Sequence, residues 1–124
     1  MSFKSRISFT FPFMADISEN KRLMWSPRNR RMFSAKEYKD AKGALILVIS
    51  YAVAKAKAVF EPKKRVWVSL SVYRPSNHSD PANFVKIFND SISSVIKLND
   101  NLFDGEYKGF IDKQKPRFEV VVSQ

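Results

Sequence analysis

The segment that decides the fold lies at residues 80–100 and reads DPANFVKIFNDSISSVIKLND. Asp80 is a suitable helix N-cap, and Pro81 fits the first turn because its missing amide hydrogen would have no partner there. Apolar side chains then recur at helical spacing, at Phe84, Ile87, Phe88, Ile92, Val95 and Ile96. The segment therefore predicts an amphipathic helix that buries one side against the rest of the domain.

A polar stripe runs along the same predicted helix. Asn83, Lys86 and Asp90 follow one another at spacings of three and four residues, which places them on one side of a helix. Asp80 precedes the helix and Asp100 follows it. Carboxylates beside an ammonium group suit a divalent cation that binds a phosphate. Spacing alone leaves the alternative that these acids are caps and solubilising charges, since Asp80 is already explained as an N-cap.

The composition is that of an ordinary globular chain. Its 124 residues are 44% hydrophobic with three glycines, which argues for one domain, residues 1–124, and against disorder. The absence of cysteine excludes disulfides and thiolate metal sites. A single histidine, His78, argues against a His-rich metal site or a His-dependent triad.

The net charge of +10 favours a polyanionic partner, nucleic acid before an anionic membrane. A basic segment at residues 16–31 is predicted to be a loop that contacts DNA phosphates through Lys21, Arg22, Arg28, Arg30 and Arg31. Trp25 within it either stacks on a base or packs on the core. The same charge would also suit a non-catalytic DNA- or RNA-binding module, or a structural protein in which it only aids solubility.

The apolar run at residues 44–54 is too short to span a bilayer, and no secretory signal is visible. We therefore expect a soluble cytoplasmic protein with no membrane partner.

Hydrophobic periodicity gives the order of the remaining elements. It predicts a strand at residues 7–13, a helix at 35–59, a strand at 66–73, the helix after Asp80, a strand, turn and possible second strand within 102–113, and a final strand at 118–122. The turn is expected at Gly105 or Gly109. This order predicts an α/β (α+β) fold, a single compact domain with a small mixed sheet and two main helices.

The pattern Arg74, Asp80-Pro81-Ala82-Asn83, Lys86, Asp90 and Asn99-Asp100 resembles the signature of the RusA family. These are Holliday-junction resolvases, or crossover-junction endodeoxyribonucleases, common in phages. The order of elements fits over nearly the whole chain. Two positions depart from the family pattern: Ala82 stands where many members carry a second acid, and Asn99 replaces the first aspartate of a pair.

The resemblance implies a RusA-like fold and a homodimer that resolves Holliday junctions or branched DNA by paired symmetric nicks. It implies that Asp80, Asp90 and Asp100 hold Mg²⁺, with Mn²⁺ as a substitute, and that Lys86 assists catalysis. Arg74 and Asn83, with Lys86, would join the basic segment in contacting DNA. It also implies association with the nucleoid, or with the host cytoplasm for a phage protein, and no small-molecule cofactor. The alternative is a catalytically weak or inactive junction-binding protein.

Overall fold

The computed structural model describes residues 5–14, 17, 23–26, 31–34 and 36–124. The helices and strands within these ranges are β1 (Arg6–Pro12), β2 (Leu23–Ser26), β3 (Arg31–Ser34), α1 (Lys36–Ala56), β4 (Val66–Arg74), α2 (Val85–Ile96), β5 (Phe103–Ile111) and β6 (Arg117–Ser123). Two 3-10 turns, Pro81–Phe84 and Asp100–Leu102, flank α2.

Four strands form one mixed sheet in the order β1-β6-β4-β5. β5 runs parallel to β4, whereas β6 is antiparallel to both β1 and β4. Buried and more exposed residues alternate along β1, β4 and β6, so these strands bury one face of the sheet. Helices α1 and α2 contact each other and share their core with this face. The predicted α/β (α+β) class, with a small mixed sheet and two main helices, is confirmed, and the domain limits of 1–124 stay a prediction.

The core is centred on aromatic rings where α2 meets the sheet. The ring centroids of Phe84 and Phe118 lie 5.1 Å apart, and those of Phe88 and Phe118 lie 4.9 Å apart. Ile87 and Ile92 are also almost completely buried. Burial of each such side chain stabilises the fold by roughly 1.5–3 kcal/mol. The apolar face predicted for this helix is therefore confirmed.

Both helices end at residues in the left-handed conformation. Lys57 has a φ of 52°, and the N–H of Ala58 donates to the carbonyl of Val53, which closes α1. The predicted helix continued to residue 59, and this backbone reversal ends it earlier. Lys97, with a φ of 61°, ends α2 in the same conformation.

The turn predicted at Gly105 or Gly109 is wrong, because β5 is continuous from Phe103 to Ile111. Neither glycine has a positive φ. Their role is steric: a Cβ on Gly105 would overlap the carbonyl oxygen of Val68 in β4. A Cβ on Gly109 would lie 2.5 Å from Cγ of Pro81. These glycines allow a close approach of backbone and side chains rather than a reversal of the chain.

The basic segment predicted as a loop, residues 16–31, contains β2 and the first residue of β3. β2 and β3 pair antiparallel, with Leu23 opposite Ser34 and Ser26 opposite Arg31. The prediction of a loop is wrong for Leu23–Ser26 and for Arg31, since backbone pairing between β2 and β3 overrides the polar composition. The side chain of Trp25 lies outside what the structure describes.

In the described part of the chain, no helix combines the length and the apolar character needed to cross a membrane.

The steric role of Gly105 predicts a contrast with Gly43, an exposed glycine inside α1 whose Cβ would meet nothing within 4 Å. We expect Gly105→Ala to lower the free energy of unfolding by about 1–3 kcal/mol, because the added methyl group forces β4 and β5 apart. Gly43→Ala should raise it by about 0.5–1 kcal/mol through helix propensity. Urea denaturation measures both values. Equal stability of Gly105→Ala and the wild type would contradict the close approach.

The connection from β5 to β6 is organised by one carboxylate. Asp112 accepts hydrogen bonds from the backbone N–H groups of Lys115 at 3.0 Å and Gln114 at 3.1 Å, and from Nη1 of Arg117 at 2.9 Å. The Lys115 N–H and then the Arg117 guanidinium lower the pKa of the Asp112 carboxyl from its ordinary value of 3.8. The charged carboxylate therefore stabilises this turn.

The lowered pKa of Asp112 predicts a loss of stability in acid. The stabilisation is fully present above the ordinary pKa of 3.8 and is lost as the pH falls through the lower pKa of the folded state. We expect Asp112→Asn to reduce the decline in unfolding free energy between about pH 5 and about pH 2. Gln114→Ala, in the same turn, keeps its backbone donor and should keep the wild-type decline. Denaturation curves at several pH values test this, and an unchanged decline in Asp112→Asn would contradict it.

Candidate functional site

The start of the segment before α2 is fixed by Asp80. Its Oδ1 accepts a hydrogen bond from the N–H of Ala82 at 3.0 Å, and its carbonyl accepts one from Asn83 at 3.0 Å. Pro81 occupies the first turn, as the sequence predicted. This first turn is a 3-10 turn, and α2 itself begins at Val85. The Asp80 side chain is therefore used as an N-cap.

An open cavity of about 430 Å³, here called the polar cavity, lies beside α2. Its lining residues come from the 3-10 turn before α2, from α2, from the 3-10 turn after it and from β5: Ala82, Val85, Lys86, Asn89, Asp90, Asp100 and Tyr107. The helical spacing of Lys86, Asn89 and Asp90 places them on one side of α2. Three of the predicted site residues, Lys86, Asp90 and Asp100, are thus brought to one cavity.

Lys86 and Asp90 form a loose ion pair on adjacent turns of α2. Nζ of Lys86 lies 3.7 Å from Oδ2 of Asp90, with 38% and 26% of their side chains exposed. A pair of this kind contributes at most about 0.5 kcal/mol to stability. Both charged groups therefore remain accessible to a ligand in the polar cavity at little cost to the fold.

Asp100 is exposed at the first position of the second 3-10 turn. The preceding residue, Asn99, caps this turn: its Oδ1 accepts a hydrogen bond from the N–H of Asn101 at 3.0 Å. Asn99 therefore does the capping, and the carboxylate of Asp100 is left at the cavity wall.

Two carboxylate residues and one ammonium residue line the polar cavity. Within the described ranges, no group of three or more His, Cys, Asp or Glu residues is arranged to hold a metal ion. Asp90 and Asp100 supply two carboxylates, and Mg²⁺ is commonly held by one or two carboxylates together with phosphate oxygens and water. The assignment of Asp80, Asp90 and Asp100 to one metal ion stays a prediction.

The other predicted contact residues divide into two groups. Lys21, Arg22, Arg28 and Arg30 lie outside the described residues, and Arg31 is described only as the first residue of β3. Asn83 is half-buried in the turn before α2 and does not line the polar cavity.

Arg74, at the end of β4, is held by the chain itself. Its Nη1 donates to the carbonyl of Ser79, and its Nε is buried without a hydrogen-bond partner among the described residues. A Cβ on Gly109 would lie 3.0 Å from its Nη2. Arg74 thus supports the loop that leads to Asp80, and its contact with nucleic acid stays a prediction.

Two lining residues with polar side-chain groups, Asn89 and Tyr107, were missed by the sequence analysis. Asn89 follows Lys86 by three residues, so helical spacing alone gave a signal that places it on the same stripe. Tyr107 gave no such signal, because the sequence predicted a turn at Gly105 or Gly109, whereas Tyr107 lies within the continuous edge strand β5.

Comparisons with known proteins give structural matches alone. No protein-family model and no curated protein matches the sequence. Among solved structures, 2C-methyl-D-erythritol 2,4-cyclodiphosphate synthase from Plasmodium vivax is similar at 10% identity, with 97% of this chain and 93% of that chain covered and a TM-score of 0.39. IspF of Plasmodium falciparum, in complex with CDP, is similar at 13% identity, with 97% and 92% covered and a TM-score of 0.39. A further CDP-bound form of this synthase is 8% identical, with 98% and 97% covered and a TM-score of 0.42. At TM-scores this low, the activity of these synthases is not carried over to this chain.

These findings correct the RusA-family identification. The three matching structures named above are cyclodiphosphate synthases, and no family model supports the resemblance. The predicted Holliday-junction endodeoxyribonuclease, its junction-binding alternative and the link to phages are therefore wrong. The physical reason lies in the motif. An aspartate at the N-cap, a proline in the first turn and a stripe of exposed polar side chains are also common in capped amphipathic helices of any function.

Proposed function

We propose that the chain is an enzyme that binds the phosphate group of its substrate in the polar cavity with the help of a divalent cation. The observation that carries the proposal is the convergence of Lys86, Asp90 and Asp100 on one open cavity. These residues reach the cavity from two separate elements, α2 and the 3-10 turn after it. An ammonium group beside two carboxylates has little value for stability there, because the Lys86–Asp90 pair is loose and partly exposed.

In this proposal each side chain has one role. The carboxylates of Asp90 and Asp100 hold Mg²⁺, for which Mn²⁺ substitutes, and the Lys86 ammonium binds a phosphate oxygen. Bound Mg²⁺ neutralises and polarises phosphate oxygens. Tyr107 and Asn89 line the same cavity and orient the rest of the substrate. The net charge of +10 raises the local concentration of anionic ligands.

The first test measures cation binding in the absence of phosphate. Mn²⁺ added to ¹⁵N-labelled protein should broaden the amide signals around Asp90 and Asp100 before all others. Asp100→Asn and Asp90→Asn should each weaken this effect about tenfold, a loss of about 1.4 kcal/mol in cation binding. Asp40→Asn removes an exposed carboxylate from α1 and should change nothing. Broadening that persists in both site variants would contradict the proposal.

The second half of the same test concerns Lys86. With Mg²⁺ present, calorimetric titration with methyl phosphate should show binding that EDTA abolishes. Lys86→Met should weaken it about tenfold, or about 1.4 kcal/mol, while Mn²⁺ broadening is retained. The free energy of unfolding should change by no more than about 0.5 kcal/mol, since only a loose ion pair is lost. Phosphate binding that is independent of both Mg²⁺ and Lys86 would refute the proposed site.

DNA stays a proposed partner on the strength of the net charge alone. A polyanion would bring several phosphates to a basic surface, and its affinity would fall steeply with salt. A duplex oligonucleotide added as a competitor in the methyl phosphate titration shows whether DNA reaches this cavity.

We also propose that the chain forms a homodimer, and that the free edge of β5 is the contact. β5 is an edge strand of the described sheet, and every residue after Phe103 in it is exposed. An antiparallel pair of β5 strands around a two-fold axis at Tyr107 would place Glu106 opposite Lys108 of the partner subunit, and the reverse. Opposite charges at directly paired positions support this register.

The charge pattern of β5 predicts that one charge-reversing substitution weakens dimerisation and that a second one restores it. Glu106→Lys should weaken dimerisation, because it places like charges opposite each other. Adding Lys108→Glu to the same chain reverses both positions and should restore the dimer. Sedimentation equilibrium measures the dissociation constant of each variant. A chain that is monomeric at every concentration, or a dimer that Glu106→Lys leaves unchanged, would contradict this interface.

A further inference from the structure

A second cavity adjoins the polar cavity on the other side of α2's polar stripe. It has a volume of about 200 Å³ and lies between α2, β4 and β5. We call it the apolar cavity, because most of its lining residues are hydrophobic, among them Val68, Leu70, Val85, Phe88 and Phe103. Asp104 and Glu106 of β5 also line it, and the carboxylate of Asp104 is paired with the guanidinium of Arg65.

The two cavities share part of their walls. Val85, Asn89 and Tyr107 line both of them. The two cavities therefore adjoin at these three side chains, and a ligand that occupied both would pass them. Lys86, Asp90 and Asp100 line only the polar cavity, whereas the charged residues that line the apolar cavity are both acids, Asp104 and Glu106. The single ammonium group therefore favours the phosphate at the polar end of such a ligand, and the acids disfavour it at the other end.

The size of the apolar cavity limits what it can accept. A cavity of about 150 Å³ lined by Leu, Ile and Phe side chains binds benzene. At about 200 Å³, the apolar cavity has room for one six-membered ring but not for a long chain. The rings and branched side chains of Phe88, Phe103 and Leu70 give it walls that suit a flat apolar group.

Asn89 stands at the boundary between the two cavities. Its side-chain amide makes no hydrogen bond with any described residue, although the residue is half-buried. An amide offers two donor hydrogens and an acceptor oxygen. It is therefore free to bind a polar atom on the edge of a ring, or the ester oxygen that joins a ring to a phosphate.

We propose that the ligand of this chain is a phosphate ester of a group that contains an aromatic ring, with the ring in the apolar cavity and the phosphate in the polar cavity. The phosphate end rests on the proposed function, whereas the ring end rests on the apolar cavity alone. Aryl phosphates and nucleoside monophosphates share this chemistry. They differ in whether a sugar separates the ring from the phosphate.

The test compares ligands that differ only in the ring. In Mg²⁺, phenyl phosphate should bind at least about tenfold more tightly than methyl phosphate, because the ring leaves water for an apolar site. Uridine monophosphate distinguishes the two ligand sources: tighter binding than phenyl phosphate supports a nucleotide, and weaker binding supports an aryl phosphate. Equal binding of phenyl and methyl phosphate would overturn the ring subsite and leave the proposed function intact.

A substitution that fills the apolar cavity tests whether the ring of the ligand binds there. Val68→Phe adds a ring from β4 into the apolar cavity and should reduce phenyl phosphate affinity to that of methyl phosphate. Val121→Phe is the matched control, because Val121 pairs with Ser69 and lies on the opposite face of the sheet, away from this cavity. Loss of selectivity in both variants, or in neither, would overturn the assignment.

A direct measurement on the wild-type chain does not depend on how Val68→Phe folds. Intermolecular NOEs from the ring protons of phenyl phosphate to the methyl groups of Val68 and Leu70 are expected, and their absence in the bound state overturns the proposal. Neutral phenol should give the same NOEs in Lys86→Met, which lacks the phosphate-binding ammonium. NOEs from phenol without any Mg²⁺-dependent phosphate binding would support the ring subsite and refute the proposed function.

Discussion

The packing of α2 against the sheet through Phe84, Phe88 and Phe118 is the constraint on which the rest of the structure depends. These rings are fully buried, so the rotation of α2 about its axis is fixed by its apolar face. Because a helix repeats every 3.6 residues, fixing one face also fixes the opposite stripe. Lys86 and Asp90 consequently face the space beside β5 and the turn that carries Asp100. The candidate site is a consequence of core packing.

Capping accounts for much of the motif that resembles the RusA family. Asp80 accepts from the N–H of Ala82, and Asn99 accepts from the N–H of Asn101. Asp80 belongs to that motif, whereas Asn99 stands at a motif position where this chain departs from the family, and both satisfy backbone groups at the start of a turn. The residues that remain for ligand binding, Lys86, Asp90 and Asp100, are fewer and less specific. A pattern that local structure already requires is weak support for a family.

The two adjoining cavities give α2 different surroundings along one stripe. Asn89 and Val85 line both cavities, with Lys86, Asp90 and Asp100 in the wall of one and a mostly hydrophobic wall, which also contains two acids of β5, in the other. β5 lies close to β4 at Gly105, and two residues later it places Tyr107 in the wall that both cavities share. The site is therefore assembled from a helix, a turn and an edge strand that are distant in sequence, on a chain whose positive charge favours anionic ligands.

The sequence alone determined the elements whose signal is local. The N-cap at Asp80, the apolar face of α2 and the alternation of β4 depend on neighbouring residues, and all three are found as predicted. Tertiary structure alone decided the course of β5, because parallel pairing with β4 and the close contact at Gly105 outweigh the local preference of glycine for a turn. It also decided that Tyr107 and Asp100 meet Lys86 at one cavity. Contacts between residues far apart in the chain depend on how the sheet and α2 pack together, which helical or strand periodicity does not encode.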